Sequence, residues 1–366
     1  MSPKSNGQFD YWLLIAVLSL SGLGLIMVFS SSAILAQQIF HDKLYFFKKQ
    51  ILFFLLGLIV MWIVYKLPAK LWVKYKYLFL LLTIICLGLT VFSPLGKEVG
   101  GARRWLKMLY FSFQPLEMAK LVLVFYLAYF YANKQDKIKN FGIGIFPPLI
   151  VTLILCSFLV LQPDLGGTVF LLMIFFSMAF VSGVPISKLF GLAFAGLIAL
   201  SGFILSASYR IKRVEAFLHP FADPHNKGYQ LVQSLYGLAN GSLFGVGLGE
   251  GKQKFFYLPE AHNDFILSIL GEEMGFIGLS LVFLAILIIL LRWFKIVLQQ
   301  QDLECKLLAF GTGLILLLGM FLNIAVVIGA IPPKGISMPF VSYGGSNLLI
   351  SFFCAGILLN LAKNRS

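Results

Sequence analysis

Long stretches of apolar residues, separated mostly by short polar connections, run through the chain from Tyr11 to Leu361. A helix rises about 1.5 Å per residue and a hydrocarbon core is about 30 Å thick, so roughly 20 apolar residues make one crossing. Ten such runs are predicted, at 11–35, 50–66, 77–94, 114–133, 142–162, 167–183, 189–208, 266–291, 307–330 and 346–362. The expected fold is all-α: a polytopic integral membrane protein of about ten transmembrane helices, forming one domain over residues 1–366. The first run exceeds the roughly 7–15-residue core of a signal peptide and reads as a retained span. An even number of spans places both termini on one side.

Composition agrees with the pattern and excludes a water-soluble globule. Of the 366 residues, 59% are hydrophobic, 15% aromatic and 12% charged, against about 25% charged in an average soluble domain. Mean hydropathy is +0.91. The net charge of +14 would suggest nucleic acid in a soluble protein. In a membrane protein, cytoplasmic loops and anionic lipid headgroups explain a basic balance better, so membrane lipids rather than nucleic acid are the expected contact. Cys86, Cys156, Cys305 and Cys354 show neither paired nor metal-ligand spacing and read as packing residues.

The loops give orientation. With cytoplasmic termini, the inner segments carry 14 Lys and Arg, among them Lys66, Lys70, Lys74, Lys76, Lys134, Lys137 and Lys139. The short outer loops of similar length carry 8: Lys43, Lys48, Lys49, Lys97, Arg103, Arg104, Lys107 and Lys334. The bias favours cytoplasmic termini. One connection is long, residues 209–265 between the seventh and eighth spans, and it holds His219, His225 and His262 together with several turn signals. Long ordered loops tend to carry function, and this one is expected outside the cytoplasm.

Several groups could carry chemistry. Glu260, His262 and Asp264 crowd together where the chain re-enters the membrane. A partly desolvated carboxylate there suits a general base, while capping of the following helix is the equally weighted alternative for Asp264. A metal-ligating reading of the three is weaker, because alternate residues share a face only in an extended segment. Glu117 and Lys120 sit three apart at the start of the fourth span and read as an ion pair shaping a cavity. Gln162 and Asp164 belong to a tight turn, where Asp164 either lines a polar cavity or serves the turn. Outer basic residues cluster at Arg103-Arg104 with Lys107, at Arg210 with Lys212 and Arg213, and at Lys334. They suit a phosphorylated lipid headgroup; interfacial snorkelling is the alternative, evenly weighted for Arg103-Arg104-Trp105.

Taken together, Gly101-Ala102-Arg103-Arg104-Trp105, Gln114-Pro115-Leu116-Glu117-Met118-Ala119-Lys120, Gln162-Pro163-Asp164-Leu165-Gly166, Pro259 to Ile266 and Gly335 to Ser346 resemble the SEDS family (shape, elongation, division and sporulation). Lys334 before Gly335 and Ala261 before His262 resemble its division branch more than its elongation branch; Asn263 departs from an expected Thr. The resemblance implies a peptidoglycan glycosyltransferase that polymerises lipid II at the outer face of the bacterial cytoplasmic (inner) membrane. It also implies a septal location, a class B penicillin-binding protein transpeptidase as partner and other division membrane proteins nearby. Asp264 matches the family's catalytic acid, which tips the even weighting toward catalysis. Lys334, Arg210, Arg213, Arg103 and Arg104 would then meet the pyrophosphate, with Glu260, His262, Ser342 and Gly344 also on the substrate side. No cofactor is evident, and a divalent cation at the pyrophosphate is chemically possible. Two rival functions are a lipid II flippase and a scaffold that only recruits the transpeptidase. Outer-face placement of the charges and the lack of an inverted repeat weigh against the flippase.

Overall fold

The computed structural model describes residues 9–99, 101–108, 111–205, 217–222, 228–255, 257–333 and 335–363. Twelve α-helices lie among them: α1 Tyr11–Phe40, α2 Tyr45–Lys66, α3 Ala69–Lys74, α4 Lys76–Phe92, α5 Pro115–Asn133, α6 Phe146–Leu161, α7 Leu165–Val181, α8 Ile186–Leu205, α9 Tyr229–Gly241, α10 Ile266–Gln299, α11 Leu303–Val327 and α12 Gly345–Lys363. A π-helical turn, Phe141–Ile145, leads into α6. Seven helical segments are long and apolar enough to cross a membrane, and the shorter apolar Lys76–Phe92, Leu165–Val181 and Ile186–Ile198 coincide with the remaining predicted runs.

Helix starts follow local chemistry. Asp10 accepts from Leu13 N at 3.1 Å, Asp164 from Gly167 N at 3.0 Å and Asp302 from Cys305 N at 3.1 Å, each satisfying an otherwise orphaned amide at the N-terminus of α1, α7 or α11. Pro115 opens α5, where its missing N–H costs nothing. Inside a bilayer, apolar burial does little to join helices, so polar contacts fix their order. Asn360 Nδ2 donates to Tyr65 O and Leu67 O at 2.7 and 2.9 Å, pinning the end of α12 to the end of α2. Arg292 reaches Asp10 at 2.8 Å and Lys70 reaches Asp302 at 3.1 Å. These contacts gather the start of α1, the ends of α2, α10 and α12, and the start of α11 at one end of the bundle.

Two features depart from the predicted plan. Three short strands, β1 Gly96–Val99, β2 Ala102–Lys107 and β3 Ser112–Phe113, form an antiparallel sheet between α4 and α5. The long seventh connection is partly helical: α9 packs on α10, with the Ser234 and Ser268 hydroxyls 2.5 Å apart and Ser234 donating to Val327 O at 2.8 Å. Leu231, Val232, Leu235 and Leu238 carry the helical spacing that the sequence reading passed over. Helix α10 runs eight residues past its predicted end at 291 and is broken at Gly275, whose φ of 65° and ψ of −163° lie outside the helical region.

Candidate active site

At the opposite end of the bundle, the turn before α10 packs against the loop before α12. Glu260 takes a left-handed φ of 57°, and its carboxylate accepts a short hydrogen bond from the Asn263 amide. Ser342 Oγ donates to Asn263 O at 2.6 Å and accepts from Met338 N at 2.8 Å, while Tyr343 N donates to His262 O at 3.0 Å. Gln50 on α2 donates to Ser342 O at 3.1 Å and accepts from Gly344 N at 3.3 Å. Asn323 on α11 completes the lacing, its Nδ2 donating to both Asp264 O at 2.8 Å and Ile336 O at 2.7 Å. Ser342 Oγ thus helps hold one loop to the other, while the Gly344 amide ties its loop to α2. Gln50, Asn323 and Asn347, which donates to Ser337 O at 3.0 Å, were missed by the sequence reading. A carboxamide inside an apolar run was their only signal.

Asp264 is half-buried and directly precedes Phe265, the N-cap of α10, which has no side-chain capping bond. Capping therefore does not explain Asp264. Burial raises its carboxyl to about 7; the neighbouring Glu260 and Asp164 carboxylates push the same way and Arg104 opposes them. A carboxylate poised near neutrality is suited to taking a proton. Gly335, at φ 66°, lies against it: a Cβ there would sit 3.5 Å from Asp264 Oδ2 and 3.4 Å from Arg104 Nη1.

Strand alternation separates the two arginines. Arg103 turns toward Glu98 on the exposed hairpin, at 3.6 Å. Arg104 points inward, with Nη2 donating to Pro163 O at 2.8 Å and Nε 3.8 Å from Asp164 Oδ2. Its Nε is buried and makes no hydrogen bond. Asp164 serves both roles left open for it, capping α7 and facing the Arg104 side of the site. His262 is buried against the rings of Phe46 and Tyr343, at 4.9 and 5.7 Å between centroids, and burial lowers its pKa.

Below these loops Glu117 and Lys120 pair at 2.7 Å, both buried, with the ammonium 4.5 Å from the Phe170 ring centre. They line, with Gln114, Gly335 and Ser337, a cavity of about 20 Å³, room for about one water. Gln162 is buried at the end of α6, its Nε2 without a hydrogen-bond partner. Arg210, Arg213 and Lys334, together with His225, lie outside the described residues. Among those described, no group of three or more His, Cys, Asp and Glu is gathered as metal ligands. The four cysteines are free.

A second charged cluster went unnoticed in the sequence. Lys254, in the long connection, pairs with Glu273 on α10 at 2.7 Å, and Ser30 on α1 donates to Glu273 at 2.6 and 2.8 Å. Adjacent Glu272 accepts from Lys252 N and Gln253 N at 3.0 and 3.1 Å. Lys254, Glu272 and Glu273 are all buried and paired, so the connection is clamped to α10 just beyond Asp264. Two acids inside a predicted span were the available signal.

The fold and site define a multi-helix membrane protein that presents a near-neutral carboxylate and an inward arginine at one end of its bundle. The chain belongs to the FtsW/RodA/SpoVE family of cell cycle proteins, which matches residues 11–366. It is 39% identical over 360 residues to the probable peptidoglycan glycosyltransferase FtsW of Trichlorobacter lovleyi, covering 98% of this chain and 94% of that one. It is 40% identical to the stage V sporulation protein E of Bacillus subtilis, with 99% of each covered. Among solved structures, it resembles a chain from a peptidoglycan synthase complex described as coordinating polymerization and crosslinking, with a TM-score of 0.81, 27% identity and 98% of each chain covered. The rod shape determining protein RodA of Thermus thermophilus matches with a TM-score of 0.69 and 25% identity, over 98% of this chain and 97% of that one.

Proposed function

We propose that this chain is a peptidoglycan glycosyltransferase that polymerises lipid II, with Asp264 as general base. The carrying observation is the half-buried Asp264 carboxyl, raised to about 7, held by Asn323 through its main chain and faced by Arg104. Asp264 takes the proton from the sugar 4-hydroxyl of one lipid-linked disaccharide. That oxygen bonds to the anomeric carbon of the second, the bond from this carbon to the pyrophosphate oxygen breaks, and the configuration inverts. Negative charge grows on the departing undecaprenyl pyrophosphate, so cations beside it stabilise the transition state more than the ground state. Arg104 is suited to this, because its buried Nε has a donor to spare. Lys334, Arg210 and Arg213 are proposed to share the task, whereas Arg103, turned to Glu98 on the opposite face of the strand, is not, and a divalent cation could neutralise the pyrophosphate further. Glu117 and Lys120 shape the cavity floor.

The bundle end carrying Lys66, Lys70, Lys74 and Lys363 lies away from Asp264, which supports cytoplasmic termini and an outer active site. The likeness to a chain of a polymerising and crosslinking complex supports a class B penicillin-binding protein as partner. A septal role in division rests on Lys334 and Ala261 and on the FtsW-named relatives, alongside the equally similar sporulation protein. The test is glycan formation from lipid II by purified protein, alone and with its transpeptidase. Wild type should polymerise and Asp264→Asn should not; equal rates would refute Asp264 as the base, and no glycan from wild type, alone or with its transpeptidase, would leave the scaffold or the flippase.

A further inference from the structure

We propose that the end of the bundle opposite Asp264 holds a binding site for one anionic phospholipid headgroup, of the phosphatidylglycerol type. A cavity of about 460 Å³ opens there between α3, the start of α4, the end of α5 and the start of α11. Its polar lining comes from Lys70, Lys74, Lys76, Tyr129 and Glu304, and the rest is largely apolar, including Leu71 and Val73. Lys76 is 5% exposed, yet among the described residues it makes no hydrogen bond and no ion pair. Its ammonium lies over the Tyr129 ring at 3.3 Å from the centroid and 4.5 Å from that of Tyr77. Ring faces soften the charge and the Glu304 carboxylate acts on it through space, but among the described residues no acceptor takes its N–H donors, which is costly for a buried ammonium.

The other charges define what would satisfy it. Lys70 is committed to Asp302 at 3.1 Å, whereas Lys74 is exposed, with its ammonium 5.6 Å from the Tyr75 ring centre. Lys74 and Lys76 can therefore share one phosphodiester monoanion. Glu304, half-buried on the same wall, would repel a second negative charge and can accept from a hydroxyl. A phosphate with a neutral, hydroxyl-bearing headgroup fits both requirements, and the apolar wall fits the start of an acyl chain. This end also carries the basic residues that mark the side facing anionic lipid in bacteria. The proposal concerns a region remote from the active site and does not depend on the reaction assigned there.

The test is titration of the delipidated full-length protein in detergent with phosphatidylglycerol, phosphatidylcholine, phosphatidic acid and inorganic phosphate, read as bound adducts by native mass spectrometry. Phosphatidylglycerol should bind above the other three. Lys76→Met, which keeps the aliphatic stem, and Lys74→Ala at an exposed position should each weaken it about fivefold. Lys134→Ala, an exposed lysine at the same end but off the cavity wall, should leave it unchanged. Glu304→Gln should narrow the preference over phosphatidic acid. Undiminished binding in both Lys76→Met and Lys74→Ala would overturn the site. An equal loss in Lys134→Ala would reduce it to diffuse surface attraction, and full displacement by inorganic phosphate would exclude a lipid occupant.

Discussion

Removing the Arg104 charge while keeping a polar side chain, Arg104→Gln, should move the pH dependence of polymerisation toward alkaline pH. Arg104 Nη1 and Asp264 Oδ2 lie 3.4 and 3.5 Å from one point, the Cβ that Gly335 lacks, so they are within about 7 Å of each other. At that separation a unit charge pair is worth about 2 kcal/mol at an effective dielectric of about 20, and about half that once the water reaching the partly exposed arginine is counted. Arg104 favours the ionised carboxylate, so its loss raises the Asp264 pKa, by about one unit. A base works only when deprotonated. The rising limb of kcat/KM, expected near pH 7 in the wild type, should therefore centre near pH 8 in the variant. The assay is glycan synthesis from purified lipid II across the pH range, with the alkaline plateau fitted separately from the midpoint. A lower plateau would report lost contact with pyrophosphate; an unmoved midpoint would refute the electrostatic coupling, whatever the plateau does.

Other consequences of the geometry can be measured independently. Because burial raises the Asp264 carboxyl above its ordinary value of 3.8, ionising it opposes folding. This contribution is fully favourable at acid pH and is lost as pH rises through about 7, at an upper bound of about 4 kcal/mol. Asp264→Asn should melt above wild type at pH 8, and that advantage should shrink steadily below about pH 7 and vanish only near pH 4 in detergent; equal melting temperatures at pH 8 would contradict it. Asn323→Ala removes two hydrogen bonds that hold Asp264 and Ile336, each worth about 1–3 kcal/mol when its partner is left buried. It should lower kcat at least about tenfold with little change in KM, and a change confined to KM would show that Asn323 does not position the base. Glu273→Gln leaves Lys254 buried beside a neutral partner and should cost about 3–5 kcal/mol, seen as a lower melting temperature. The double variant Lys254→Met/Glu273→Leu should recover most of that loss.

The ten predicted apolar runs each coincide with a helix, because a membrane span is written in local composition: twenty neighbouring residues must all tolerate lipid. The same local chemistry puts Asp10, Asp302 and Pro115 at helix starts in the structure, although the sequence reading did not single out the two aspartates. Asp264 was legible only as a candidate: from the residues alone, capping of the next helix weighed equally with chemistry, and the family resemblance tipped the reading toward catalysis. The small sheet was in principle readable from Lys97 to Lys107, where alternating residues flank Gly100-Gly101, but the surrounding helices drew the reading toward a loop.

What surrounds Asp264 was decided only by tertiary structure. The partners that hold its loop are Gln50, Asn323 and Ser342, and the contact between Gln50 and Ser342 spans 292 residues of chain. The clamp of Ser30 on Glu273 spans 243. No periodicity or spacing encodes such pairs, because each needs the helices between them packed first. The raised pKa has the same origin: burial, Glu260 and Asp164 raise it against the opposing charge of Arg104, and three separate segments bring these groups to one point. Sequence alone determined a basic, many-helix membrane protein with a carboxylate at its mouth. Packing raised the pKa of that carboxylate toward neutrality, because desolvation and charge depend on distance in space rather than position along the chain.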